Sequence, residues 1–117
     1  MRGQVDPQSG MFSYFSVEER IPADHPLRRV KAQADEVLGS MGAQFDAMYA
    51  MVGRPSIAPE RLLKATLLIA LYSVRSDRLF CEMLDYNMLF RWFLDMDLEE
   101  RSFDHSTFSK NRGRLIE

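Results

Sequence analysis

Apolar side chains are most concentrated between Pro59 and Phe93, in a stretch that is broken by one short polar segment at residues 73–77. Before the break, residues 59–71 are apolar on almost every side of a helix, which predicts the central and most buried helix of the protein. After the break, apolar residues recur at spacings of one and four, as expected for a second helix that Ser76 can cap. We interpret the two helices as an αα-hairpin or a helix-turn-helix.

An amphipathic pattern lies upstream, where apolar residues recur every three or four positions over residues 27–41. We expect this helix to begin after Asp24, which can act as the N-cap, and to end at Gly39 and Gly42. A short additional helix can follow over residues 43–51. This part of the chain therefore predicts two consecutive helices.

Residues 1–24 contain several glycines and prolines but no sustained helical period, so we predict an extended N-terminal arm. Its aromatic segment Met11–Phe15 would be unfavourable in water. We expect this segment to pack across the helical body or against a second subunit, and the sequence leaves both arrangements open.

Downstream of the central pair, Leu89–Leu94 form a third apolar cluster. Trp92 in this cluster is expected to lie between helices, with its indole N–H bonded to an acceptor. A final helix is predicted over Thr107–Ile116, with Asp104 or Ser106 as its cap. The sequence stops inside the apolar end of this helix, so we expect the natural protein to continue beyond residue 117.

These patterns predict an all-α protein: a small bundle of five or six helices over residues 25–117 with a helix-turn-helix-like pair, preceded by the extended arm of residues 1–24. Cys81 is the only cysteine, which excludes an internal disulfide and suits a reducing compartment. It lies in an apolar pattern, so we interpret it as a small buried thiol. No apolar run is long enough to span a bilayer, and we expect a cytoplasmic protein without membrane contact.

The formal net charge of −2 argues against indiscriminate binding to polyanions, but the charges alternate along the chain. Residues 61–78 are basic, residues 95–104 are acidic, and residues 106–117 are basic again. We interpret the acidic run as a solvated loop, because a metal-dependent site for phosphate chemistry needs carboxylates from different elements.

Candidate catalytic groups are few. His105 follows Asp104, but neither Ser106 nor Ser109 is a convincing nucleophile for it. The two histidines and Cys81 do not have metal-ligand spacing. We therefore predict no catalytic residue, no metal site and no cofactor in this chain.

The cations at the polar break and on the last helix are candidates for DNA contact. Lysine and arginine suit phosphate or guanine, and asparagine suits adenine. Asp77, in the first turn after the break, would oppose a phosphate contact. The residues alone favour ordinary solvated charges on an amphipathic helix over DNA contact. The candidate DNA-binding residues are Arg75, Arg78, Ser106, Thr107, Lys110, Asn111, Arg112 and Arg114.

Five segments of the sequence are informative together: HPLRRV at His25–Val30, GRPSIAPERLL at Gly53–Leu63, LYSVRSDR at Leu71–Arg78, LDYNMLFRWF at Leu84–Phe93 and DHSTFSKNR at Asp104–Arg112. In this order and spacing they resemble the N-terminal domain of bacterial DDE-type insertion-sequence transposases. The resemblance extends from about Ser16 onward. It implies a helical, helix-turn-helix-like domain that helps to recognise the terminal inverted repeats of the element as double-stranded DNA, or that holds the transposase in a multimer. It also reverses the preference for solvated charges.

The same resemblance implies that the chain is not an enzyme by itself. The RNase H-like catalytic domain, with its acidic triad and divalent metal ions, which we expect to be Mg²⁺, would begin after residue 117. The alternative function is a helical protein-interaction module that holds a homo-oligomer together without touching DNA. The eight methionines fit that alternative, because methionine suits adaptable interfaces as well as irregular cores.

Overall fold

The computed structural model describes residue 14 and residues 16–52 and 57–116. Within these residues the protein is all-α, which confirms the predicted fold class. The helices are α1 (Val17–Arg20), α2 (Pro26–Ser40), α3 (Gly42–Val52), α4 (Pro59–Leu71), α5 (Asp77–Leu84), α6 (Met88–Phe93) and α7 (His105–Ile116). The prediction of five or six helices omitted α1, a single turn inside the segment interpreted as an arm.

Side-chain caps define where several helices begin. Ser76 accepts a hydrogen bond from the Leu79 N–H at 3.0 Å, and Asp104 accepts one from the Thr107 N–H at 3.0 Å, as the sequence predicts. The predicted cap of α2 is wrong by one residue. His25, not Asp24, is the N-cap, and its Nδ1 accepts from the Leu27 N–H at 3.1 Å.

Two helices end on a residue with a left-handed backbone that is not glycine. Ser73 (φ 52°) follows α4, and the Val74 N–H reaches back to the Ile69 carbonyl at 3.0 Å. Asp95 (φ 56°) follows α6 in the same way, with a 2.9 Å bond from the Met96 N–H to the Arg91 carbonyl. Both ends have the Schellman bond pattern, in which glycine is the usual residue.

Most of the buried apolar side chains among the described residues form one cluster, which includes α4, where Ala65 and Leu68 are completely buried. The prediction that α4 is buried on almost every side is only partly correct, because Leu67 and Leu71 are 40% and 55% exposed. An apolar pattern identifies the helix but does not say how many of its faces are covered.

A chain of aromatic rings connects α4, α5, α6 and α7. The ring centroids of Tyr72 and Phe90 are 5.2 Å apart, those of Phe90 and Phe80 are 5.6 Å apart, and those of Phe80 and Phe108 are also 5.6 Å apart. Phe103 stacks on the far side of Phe108 at 5.7 Å. Because these rings are large and interlocked, they hold α7 in a defined position against α5.

The short helix α1 packs against α6. The Trp92 indole N–H donates to the Glu18 carboxylate, which provides the acceptor that the sequence led us to expect. The Arg28 guanidinium also pairs with Glu18 and donates to the Ile21 carbonyl at 2.7 Å. The hydrogen bonds from Trp92 and Arg28 hold the pKa of Glu18 below its usual range.

The boundary at residue 24 between an arm and a helical domain stays a prediction, but Ile21 is part of the core. Of the predicted aromatic anchor Met11–Phe15, only Tyr14 is described, and its side chain is fully exposed. The rest of that segment lies outside the described residues. Among the helices that the structure describes, none is both long and apolar enough to cross a membrane.

Candidate nucleic-acid interface

The last helix, α7, is positioned by one buried face that packs against both α4 and α5. Phe108 on this face is completely buried, and Asn111 is only 8% exposed. The Asn111 side-chain amide donates to the Thr107 carbonyl one turn earlier, at 2.7 Å. Asn111 therefore faces the protein interior rather than a base edge in the described conformation.

The opposite face of α7 is exposed and basic. Ser106, Lys110, Gly113 and Arg114 are all exposed. Lys110 and Arg114 are four residues apart and so lie on the same side of the helix. Neither cation forms an ion pair with any residue that the structure describes.

Arg112 lies between these two faces and is used within the fold. Its guanidinium Nη1 pairs with Asp77 in the first turn of α5, and the Ser109 hydroxyl donates to the same carboxylate at 2.9 Å. The carboxylate that would have opposed a phosphate contact is thereby neutralised from α7. Arg112 Nε is buried and has no hydrogen-bond partner in the described part of the chain.

Arg75 lies on the turn before α5, and Arg78 lies in the first turn of α5. Both are exposed, and neither has an ion-pair partner within the described ranges. Because α5 packs against α7, four unpaired cations occupy two neighbouring helices and the turn between α4 and α5. We call Arg75, Arg78, Lys110 and Arg114 the outward cations.

A shallow depression of about 620 Å³ lies beside the start of α7. Its charged side chains are of both signs, so it is not a uniformly basic groove. The charged and titratable residues that line it include Arg78, Arg101, His105, Glu82, Asp85 and Asp104. In the part of the chain that the structure describes, no group of three or more His, Cys, Asp or Glu side chains is arranged to hold a metal ion.

Two lysines, one of which lies in the basic segment of residues 61–78, form ion pairs within the fold. Lys64 is only 4% exposed and pairs with Asp35 on α2 and with Asp95 after α6, the latter at 3.1 Å. Lys31 pairs with the same two carboxylates, at 2.9 Å each. We call Lys31, Asp35, Lys64 and Asp95 the four-charge cluster. It ties the residues after α6 to both α2 and α4.

Burial and pairing oppose each other in the four-charge cluster. Burial raises the pKa of Asp35, but hydrogen bonds from Lys64 and Lys31 more than offset it, so the net shift is downward. Burial lowers the pKa of Lys31, but its hydrogen bonds to Asp95 and Asp35 more than offset this effect. The net shift of the Lys31 pKa is therefore upward. Both groups are held in their charged forms.

The acidic segment is therefore only partly solvated, whereas the sequence predicted a solvated loop. In addition to Asp95, Glu100 pairs with Arg61 on α4 at 2.8 Å. The buried Arg91 guanidinium donates to the carbonyls of Asp97 and Glu100, at 2.7 Å each. The hydrogen bond from Arg61 is the main cause of the lowered pKa of Glu100.

Comparison with protein families matches residues 15–114 to a family described as Transposase domain (DUF772). The chain belongs to this transposase domain family. The resemblance recognised in the sequence is confirmed at this level, and its narrower assignment to bacterial DDE enzymes stays a prediction. No curated protein and no solved structure matches the chain.

Within this transposase domain, five of the eight predicted DNA-binding residues are exposed: the four outward cations and Ser106. The other three have contacts inside the fold. Asn111 is buried, Arg112 pairs with Asp77, and the Thr107 hydroxyl donates to the Asp104 carboxylate at 3.1 Å. The assignment of α4 and α5 as a helix-turn-helix stays a prediction.

The four-charge cluster was not predicted from the sequence. Its members are separated by up to 64 positions, from Lys31 to Asp95, so no local spacing reveals it. One signal was present. Lys64 lies in the middle of a nearly continuous apolar helix, and a lysine there needs either solvent or a carboxylate partner.

Proposed function

We propose that this transposase domain binds double-stranded DNA at the terminal inverted repeats of its element through the outward cations of α5 and α7. The observation that carries the proposal is the contrast between two sets of cations in the described structure. Arg61, Lys64 and Arg112 pair with carboxylates of the fold, whereas the outward cations face solvent without such partners among the described residues. Unpaired lysine and arginine on packed helices suit phosphate oxygens.

In this proposal, Lys110 and Arg114 contact phosphates, and Arg75 and Arg78 contribute further charge from the adjacent helix start. Arg112 neutralises Asp77 and so removes a negative charge from the interface. The phosphodiester chemistry and its Mg²⁺ belong to a catalytic domain outside residues 1–117. The role of this domain in transposition is end recognition without catalysis.

The test is fluorescence anisotropy with a duplex that carries the inverted repeat flanking the coding sequence, against a scrambled duplex, over a salt series. Lys110→Ala/Arg114→Ala should weaken binding and reduce the salt slope by about two, because two phosphate contacts are lost. Arg29→Ala removes an exposed cation from α2 and should leave the slope unchanged. Equal affinity for both duplexes, with no effect of the double substitution, would contradict the proposal.

The second candidate function is self-association, favoured by exposed apolar side chains. Leu67 and Leu71 on α4 and Val37 on α2 are 40%, 55% and 57% exposed. Such side chains are suited to an interface. Sedimentation velocity over a concentration series tests this function. Self-association would replace DNA binding as the proposed function if two results were found together. The protein would form a dimer that Leu67→Gln/Leu71→Gln dissociates, and it would show no affinity for DNA.

A further inference from the structure

Gly113 lies inside α7, three residues before Ile116, the last residue of the described helix. It is exposed, and a Cβ atom placed on it would meet no atom within 4 Å. Its backbone is not in the left-handed region that favours glycine. Glycine nevertheless weakens a helix relative to alanine, because it loses more backbone freedom on folding. Within the described residues, neither a close contact nor the backbone angle requires a glycine at position 113.

The neighbours of Gly113 are the cations that the proposed function uses. Lys110 lies one turn before it and Arg114 follows it directly, both exposed and without ion pairs in the described residues. The buried side of the same helix carries Phe108 and Asn111. Gly113 is therefore a bare stretch of main chain between two positive charges, on the side of α7 that faces away from the core.

We infer that Gly113 is the point at which the main chain of α7 comes into direct contact with the sugar-phosphate backbone of duplex DNA. This inference rests on the proposed function and adds a position to it. A glycine lets a ligand approach a helix more closely than any side chain allows. A phosphate strand at that distance lies within reach of Lys110 and Arg114 together, so the missing side chain and the two charges serve the same contact.

Charge decides against a second copy of this chain as the occupant of this face. A symmetric contact between two copies of α7 would bring Lys110 and Arg114 of each copy towards the same cations of the other. Like charges at short distance repel, and the sequence of α7 itself, His105–Ile116, contains no acidic residue to balance them. An anionic polymer has no such conflict.

Gly113→Ala and Gly113→Gln test the inference, because they should change stability and binding in opposite directions. Gly113→Ala should raise Tm by about 4 °C, since alanine favours the helix and meets no obstacle. Both variants should bind the inverted-repeat duplex more weakly, about fivefold for alanine and more than tenfold for glutamine. The salt slope should match that of the unchanged protein, because no charge is removed.

Gly39→Ala is the matched control. Gly39 is also exposed, lies in a helix and has open space around its Cβ position, but it belongs to α2. Its substitution should raise Tm without changing DNA affinity. Thermal unfolding and anisotropy on the same four proteins therefore separate a general glycine effect from a contact at Gly113.

The outcomes distinguish this inference from the function on which it rests. If Lys110→Ala/Arg114→Ala weakens binding but both Gly113 variants bind within twofold of the unchanged protein, the inference is wrong and the proposed function stands. If neither set weakens binding, both are wrong. If Gly113→Gln alters sedimentation but not DNA affinity, the glycine serves a contact between copies, which also overturns the inference.

Discussion

The four-charge cluster and the outward cations are built from similar chemical groups but differ in how their charges are balanced. In the cluster, Lys31 and Lys64 share two carboxylates that arrive from other parts of the chain. Where α5 packs against α7, the outward cations have no carboxylate partner in the described structure. The first arrangement holds helices together, and the second leaves positive charge available to a ligand. A lysine's position in the fold thus decides its role.

The largest expected effect comes from the packing beneath the outward cations. Phe108→Ala removes a completely buried ring that stacks between Phe80 and Phe103, and should lower the free energy of unfolding by about 3–5 kcal/mol. Because α7 loses its anchor, DNA affinity should fall as well. Urea unfolding and anisotropy measure the two effects. Leu71→Ala, at an exposed apolar site, should cost less than about 1 kcal/mol.

The same substitution in the two regions should have opposite consequences. Lys64→Met keeps a similar shape but leaves Asp35 and Asp95 with only Lys31, and should cost about 1–2 kcal/mol. This is less than for a fully buried pair, because the two carboxylates are 42% and 63% exposed. Lys110→Met should change stability by less than about 0.5 kcal/mol.

DNA binding should rank these two lysine variants in the reverse order. Lys110→Met should weaken affinity and reduce the salt slope by about one, whereas Lys64→Met should leave both unchanged wherever it remains folded. Chemical denaturation and anisotropy on each protein give the comparison. Equal stability of the two variants would remove the distinction between paired and outward cations.

Low pH should weaken the ion pair between Glu100 and Arg61. The folded-state pKa of Glu100 is below its ordinary value of 4.5, so its contribution to stability is complete above that value and is lost as the pH falls through the lowered pKa. At neutral pH, Glu100→Gln should cost about 0.5–1 kcal/mol, since the Arg61 pair is partly exposed.

The useful measurement is how the difference in unfolding free energy between the unchanged protein and Glu100→Gln depends on pH. Urea unfolding between pH 2 and 7 should show the unchanged protein and Glu100→Gln converging below pH 4.5, because the protonated carboxyl no longer attracts Arg61. A difference that stays constant to low pH would mean that charge pairing contributes little at this position.

The smallest expected effect concerns Ser73 and Asp95, the two residues with a left-handed backbone that follow α4 and α6. Ser73→Gly should raise stability by about 0.5–1 kcal/mol, because glycine adopts the required φ without strain. Asp95→Gly should not show this gain, since it removes the partner of Lys31 and Lys64. Thermal unfolding of both variants checks this. An equal gain at both sites would mean that the Asp95 ion pairs contribute no net stability.

Much of the fold follows from the sequence because it depends on contacts within a few residues. Helical periodicity, the caps at Ser76 and Asp104 and the polar break after α4 all involve neighbours along the chain. The burial of Cys81 was also predictable from its apolar surroundings, and that burial raises the pKa of its thiol to about 12. The family match likewise uses the order of local segments.

The tertiary structure alone decided which candidate residues face outward. Asn111 turned inward to Thr107, Arg112 joined Asp77, and the acidic segment closed onto α2 and α4. It also left Leu67 and Leu71 exposed on the most apolar helix. The sequence by itself therefore determined the all-α class, most of the helices, the caps at Ser76 and Asp104, and the family. Charge pairing between distant residues required the folded arrangement, because no local pattern brings Lys64 to Asp95.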